Sequence, residues 1–453
     1  MPRSSSLQRL QALRATETGR AAELAAASML NNAIQLLFTV LLARLLGKTG
    51  YASLAALVAA FLIMQVSGQA IQAAAARAIV RWTAQGHHEP YREVSAWTRQ
   101  VLVLAVVLFV LGVVFRAPLA QLIGVDSHRG AAGLLPVTGA LWLLVCLQRG
   151  ALQGLRDFDA VAGSIVLEAV LRLVAALVFV TVAPIVWEGT EVTGAFAAAP
   201  AAFAILAFGM DRRLRRLHAH GEVASGDRPT PLSALARAEG TVILSLLLVA
   251  IMQNVDTILA KREFTDEIAS SYAAAAVAAK AVVWVAVGVA LHLLPEATRR
   301  AVAGENPHPI LRRAILFLLL IGTPAIAIFV AIPGFLLRTA FGPDFDVASE
   351  ALPLLGGAML LLSITLMAVQ YLSAIGRHRH LVPLFVLAVV EIALLSRQGW
   401  SATEFATIVL VGQAVAAVVT LGLAWFSRPA PGVREEPLPE PAPPARDLSA
   451  GPA

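Results

Sequence analysis

Twelve long apolar stretches, each closed by a short charged or turn-forming segment, fill the chain from about residue 21 to residue 427. They fall at 22–45, 50–80, 98–118, 131–150, 160–184, 191–210, 238–260, 268–294, 312–336, 350–374, 380–397 and 402–426. A helix rises about 1.5 Å per residue, so roughly 20 apolar residues cross the hydrocarbon core of a bilayer. A dozen such runs predict an all-α polytopic membrane protein with about 12 transmembrane helices. Gly130, Gly154 and Pro184 mark short turns, which make successive helices neighbours in space.

Composition agrees. The chain is 58% hydrophobic and 14% charged, with mean hydropathy +0.75, whereas a soluble chain carries about 25% charged residues. The widest gap between apolar stretches, Asp211 to Glu239, is too short for a separate soluble domain. A net charge of +6 would suggest nucleic acid in a soluble protein. Here the basic residues sit at the ends of apolar stretches, so they read as topology signals and no nucleic-acid partner is expected. With the N-terminus inside, 25 basic residues fall on the inner side and eight on the outer, while Arg172 and Lys280 lie within helices. The inner set includes Arg149, assigned to the loop after the fourth helix. This bias predicts both termini in the cytoplasm, and the Arg-, Ala- and Leu-rich usage suggests a bacterial inner membrane. Arg3, Arg9, Arg14 and Arg20 precede a first helix expected to be retained rather than cleaved as a signal peptide. The one cysteine, Cys146, allows no intrachain disulfide and reads as a packing residue.

The expected organisation is a cytoplasmic N-terminal segment (1–20), a six-helix bundle (21–210), a basic cytoplasmic linker (211–237), a second six-helix bundle (238–427) and a Pro-rich disordered tail (428–453). A weak internal repeat supports two halves. Leu42-Ala43-Arg44 resembles Leu259-Ala260-Lys261, Tyr51-Ala52-Ser53 resembles Tyr272-Ala273-Ala274, and Leu152-Gln153-Gly154-Leu155 resembles Leu372-Ser373-Ala374-Ile375. The offsets are 217, 221 and 220 residues, six helices apart, so the halves would be parallel repeats.

Ionisable groups at bilayer depth cost a few kcal/mol and usually face the bundle interior. Glu168, Arg172, Asp256, Lys280 and Glu391 are such groups. Glu168 and Arg172, spaced i, i+4, can pair, either structurally or beside a cavity. Asp256 fits a packing or capping role near the outer leaflet. Lys280, in mid-helix, needs an anion, a carboxylate or a water-filled cavity. Glu391 reads as lying near a helix end. Gln65, Gln69 and Gln72 form one polar stripe, and Asn31 and Gln35 lie one turn apart on the first helix. Such amides either glue helices or line a hydrophilic lumen. No P-loop lysine motif, HExxH or CxxC occurs, so no cofactor, metal site or Walker-type ATP hydrolysis is expected. His87, His88, His308, His378 and His380 lack ligand spacing.

Several segments are similar to one family. They are Met252-Gln253-Asn254-Val255-Asp256-Thr257, Ser271-Tyr272-Ala273-Ala274-Ala275, Leu293-Leu294-Pro295-Glu296, and the stretch from Val369-Gln370-Tyr371 to Ile375-Gly376-Arg377. Ala43-Arg44-Leu45-Leu46-Gly47 before Gly50-Tyr51 is similar too. Across residues 20 to 427 the chain resembles the bacterial polysaccharide transporters, within the superfamily of multidrug/oligosaccharidyl-lipid/polysaccharide flippases. The resemblance implies two six-helix bundles around a central cavity. It also implies transfer of a lipid-linked saccharide from the inner to the outer leaflet by alternating access, with no catalytic chemistry. Polysaccharide-biosynthesis proteins become candidate partners. It makes Arg172, Lys280, Gln65, Gln69, Asn31 and Gln35 candidates for substrate contact, and Glu168 and Asp256 candidates for ion pairing or ion coupling. The alternatives are a cation-coupled multidrug exporter of the same superfamily, a membrane-integral polysaccharide-biosynthesis enzyme and a scaffold without transport.

Overall fold

The computed structural model describes residues 17–84, 90–186, 189–218, 231–303 and 305–427. Most of the N-terminal segment, the middle of the linker, the His87-His88 pair and the 428–453 tail lie outside the described residues. Every extended element among the described residues is a helix: α1 (Glu17–Ala84), α2 (Pro90–Val114), α3 (Arg116–Ile123), α4 (Arg129–Gly154), α5 (Phe158–Val186), α6 (Glu191–His218), α7 (Leu232–Ala238), α8 (Gly240–Glu263), α9 (Asp266–Val302), α10 (His308–Ala331), α11 (Pro333–Phe341), α12 (Ala351–Ala374), α13 (Leu381–Leu395) and α14 (Ala402–Phe426). Among the described residues nine helices are long and apolar enough to cross a membrane. The first, Ala26–Ala84, has length for two passes. With α9 and the short α13, the expected passes are all represented.

Gly47 breaks α1. Its φ of 63° and ψ of −169° interrupt the helix in a region that glycine enters without Cβ strain, which separates the first two passes. Other boundaries differ from the apolar stretches for physical reasons. α2 starts at Pro90, where proline suits a first helical turn, although residues 90–97 are too polar to count as membrane. The ninth stretch ends early because Pro333 cannot continue α10 and instead opens α11. Prolines 136, 184, 200 and 324 sit inside helices, as membrane helices tolerate.

Buried apolar side chains gather into two cores. One is built from α1 to α7 and includes the Phe61–Trp142–Phe203 aromatic cluster. The other is built mainly from α8 to α14 and includes Phe264, Tyr272 and Phe405. The outer surfaces are apolar: Val103, Val106 and Val110 on α2 are more than half exposed. That inversion suits lipid contact rather than water. Within the first core, α4 lies very close to α1. A Cβ placed on Gly150 would sit 2.3 Å from the Gln72 carbonyl oxygen, so only glycine permits this approach.

The two cores meet around the Gly47 break. Leu42 and Leu54 pack into the first, while Ala43, Tyr51 and Ala55 pack into the second. The Lys48 ammonium lies 2.5 Å from Glu267 and 3.6 Å from Asp344. The Arg44 guanidinium donates to the Thr339 carbonyl at 2.7 Å and to the Ala340 carbonyl at 2.9 Å and 3.1 Å. These are carbonyls from the last turn of α11, which lack helical partners and carry the negative end of the helix dipole. Tyr51 stacks against Phe341 and Phe345 beside them. This end of the bundle is therefore latched across the halves.

Candidate functional site

Charge inside the first core is organised by α4 and α5. The turn at Leu155 to Asp157 returns the chain so that Arg149 on α4 faces Ser164 and Glu168 on α5. Arg149 donates from Nε to Ser164 Oγ at 2.9 Å, and from Nη2 to the Ser164 carbonyl at 2.9 Å and Glu168 Oε2 at 2.8 Å. Arg172, one turn beyond Glu168, brings Nη1 to 3.5 Å from Oε1. All three side chains are buried. The assignment of Arg149 to a cytoplasmic loop is therefore corrected: it lies within α4, fully packed, and joins Arg172 and Lys280 as a basic residue inside a helix. The inside count falls by one and the bias stands. A local reading missed it because the acid that holds Arg149 belongs to another helix, 19 residues on.

The result is two guanidinium groups around one carboxylate. The surplus charge is partly offset by aromatic faces. Arg172 lies 5.4 Å from the Phe38 ring and 6.0 Å from the Phe203 ring, and Arg149 lies 5.7 Å from Trp142. The Nε of Arg172 has no hydrogen-bond partner. Phe38 continues the register of Asn31 and Gln35, which are i−7 and i−3 from it on α1. Asn31 and Gln35 are half-buried, and Asn31 donates to Asn32 at 3.5 Å. In the second-pass stripe, Gln69 is exposed, Gln65 offers its backbone carbonyl to the Trp142 indole at 2.8 Å, and Gln72 bonds Gln153 at 3.2 Å.

The buried charged groups of the second core lie on α8, α9 and α13. Lys280 donates to Asn254 Oδ1 at 2.9 Å, and Asn254 is oriented by its own donation to the Ala250 carbonyl at 2.9 Å. Asp256 accepts from Tyr272 at 3.0 Å and from Thr257 at 3.3 Å, and is completely buried. Lys280 thus has a neutral hydrogen-bond partner, and the carboxylate two residues away is bonded by hydroxyls. Glu391 lies in the C-terminal part of α13, one turn from its end at Leu395, yet it is 2% exposed and neither carboxylate oxygen has a hydrogen-bond partner. It rests against α14, where a Cβ on Gly412 would come within 3.5 Å of it. Arg172 and Lys280 both lie inside their cores in this conformation, 7% and 8% exposed, and face protein partners.

A family model described as polysaccharide biosynthesis protein matches residues 21–295. No curated protein matches. Solved structures match along nearly the whole chain. A multidrug resistance MATE family transporter of the MOP superfamily, in its inward-facing conformation, is 16% identical, with 89% of this chain and 97% of that chain covered and a TM-score of 0.68. An outward-facing structure with the same description is 16% identical, with 92% and 97% covered and a TM-score of 0.61. A MOP superfamily transporter from Pyrococcus furiosus is 16% identical, with 92% and 97% covered and a TM-score of 0.55. At this identity the likeness speaks to the fold: two helical bundles of a polytopic membrane protein.

Proposed function

Because the chain belongs to the polysaccharide biosynthesis protein family and has the fold of MOP superfamily transporters, we propose that this membrane transporter flips lipid-linked saccharide precursors from the cytoplasmic to the outer leaflet. Family and fold are those of transporters rather than enzymes. A saccharide head group cannot cross hydrocarbon without losing its hydration. A polar path between two bundles lets the head pass while the lipid tail stays outside.

The observation that carries this reading is the two-to-one charge ratio of Arg149, Glu168 and Arg172. Unbalanced charge at membrane depth is costly, and an anionic phosphate or pyrophosphate supplies what is missing. Arg172 has the unpartnered donor, and it adjoins the α1 face that carries Asn31 and Gln35. Parting of the bundles would bring Arg172, Asn31, Gln35, Gln65 and Gln69 to the head group, with Lys280 on the opposite half. The basic-residue bias supports a reading with both termini in the cytoplasm of an inner-membrane protein, and on that reading the Arg44–Lys48 latch closes the outer end. The candidate driving forces are an ion gradient and the membrane potential, the latter worth about 2.3 kcal/mol per charge per 100 mV. Glu168 and Asp256 are the candidate coupling groups.

A second reading, cation-coupled drug export, is favoured by Glu391, an unpartnered acid sealed in the second core. The discriminating experiment is a deletion strain complemented with wild type, Arg172→Gln or Lys280→Ala. Accumulation of lipid-linked saccharide on the inner leaflet, reversed only by wild type, is expected. Unchanged saccharide flux with altered drug tolerance would overturn the proposal in favour of drug export.

A further inference from the structure

A recess unused by the chemistry above opens between the first turn of α10 and the last turn of α14, at the end of the bundle opposite the latch. Its volume is about 350 Å³, and Asn306, His308, Pro309, Arg312 and Trp425 line it. His308 braces the two helices. Its Nδ1 lies 2.6 Å from Asn306 Oδ1, its Nε2 lies 3.1 Å from the Trp425 carbonyl oxygen, and its ring packs on Trp425 and Tyr371.

Both partners of the imidazole are acceptors. Asn306 Oδ1 also accepts the backbone N–H of His308 at 3.0 Å, which fixes the orientation of that amide. Contacts on both ring nitrogens fix the plane of the imidazole at the wall of the recess. Arg312, one turn further along α10, adds an exposed guanidinium on the same face. Among the described residues, the lining has no carboxylate.

The surface leading away from the recess is hydrocarbon-facing. Leu316 and Leu320 continue the Arg312 register and are 58% and 71% exposed. Trp425 and Phe426, 61% and 87% exposed, stand at the end of α14, where membrane helices place interfacial aromatics. A hollow with the Arg312 guanidinium at its wall that opens onto an apolar stripe matches a phosphate joined to acyl chains better than a free anion.

We propose that this recess holds the head-group phosphate of an anionic phospholipid, with an acyl chain along Leu316 and Leu320. The full-length protein, purified in detergent, is titrated with phosphatidylglycerol, phosphatidylcholine or inorganic phosphate and read by native mass spectrometry and melting temperature. Phosphatidylglycerol is expected to bind and protect, with the other two giving little effect. Arg312→Gln should weaken that binding about tenfold, the loss of one charge-assisted hydrogen bond. Arg313→Gln, on the next position of the helix, should not. Equal binding by wild type and Arg312→Gln, equal weakening by Arg313→Gln, or equal effects of phosphatidylcholine would each overturn the proposal. Protection by inorganic phosphate alone would overturn the lipid assignment in favour of a free-anion site. The test involves no transport, so its failure leaves the flippase reading separately testable.

Discussion

Replacing Glu168 with glutamine removes the one carboxylate that holds two buried guanidinium groups. Its side chain is 5% exposed and contacts Arg149 at 2.8 Å and Arg172 at 3.5 Å. Loss of one partner from a buried ion pair costs about 3–5 kcal/mol, because the remaining charge is stranded. Here two would be stranded, facing each other. Arg172→Gln has a different consequence: Arg149 and Glu168 remain a one-to-one pair with their 2.8 Å bond intact. The loss is then chiefly the cation–π contacts with Phe38 and Phe203, about 0.5–2 kcal/mol. The expected pattern is a large fall in melting temperature for Glu168→Gln, a small one for Arg172→Gln, and partial recovery in the Glu168→Gln/Arg172→Gln double variant. Melting is followed by the monodisperse fraction after heating in detergent, and saccharide flux is measured in vesicles on the same preparations. Arg172→Gln should lose flux while keeping its fold. Equal melting of the two single variants would refute the shared-carboxylate argument. Normal flux in Arg172→Gln would refute the use of the surplus charge.

Four further outcomes are expected. Lys280→Ala should insert normally yet lose export, as scored by flux per inserted protein, since Lys280 contributes an ammonium whose hydrogen-bond partner is neutral; full flux would remove it from the site. Arg44→Ala with Lys48→Ala should open the latch. Half-exposed pairs contribute about 0.2–1 kcal/mol each, so together with the lost carbonyl bonds the outward population should rise several-fold. Spin labels at Leu45→Cys and Val347→Cys report that distance, the sole native thiol, Cys146, being buried; an unchanged distribution would contradict the latch. Gly150→Ala should destabilise by about 1–3 kcal/mol, as overpacking does, because its Cβ would meet a backbone carbonyl that cannot swing aside; an unaltered melting curve would count against that close approach. Deletion of residues 430–453, a Pro- and charge-rich stretch, should leave flux intact, and a dead truncation would assign the tail a role.

The number of passes, their approximate places and their orientation bias were readable from residue order. Membrane insertion depends on the transfer free energy of about 20 consecutive residues, which is a local quantity. The Gly47 break and the Pro333 restart were only half legible, since apolar runs mark where lipid begins and not where helical hydrogen bonding stops. The candidate site was legible as a set of residue types out of place in lipid: Glu168, Arg172, Asp256, Lys280. Their partners were not. Arg149 looked like a loop cation because it stands at the end of an apolar run, and its acid is on the next helix. Glu391 looked peripheral because α13 is short, although packing against α14 seals it. Lys280 meets an amide 26 residues away, and the recess at Arg312 exists because two helix ends, 117 residues apart at His308 and Trp425, are brought together. Sequence spacing describes one helix face at a time, whereas a charge is satisfied or stranded by what another helix presents to it.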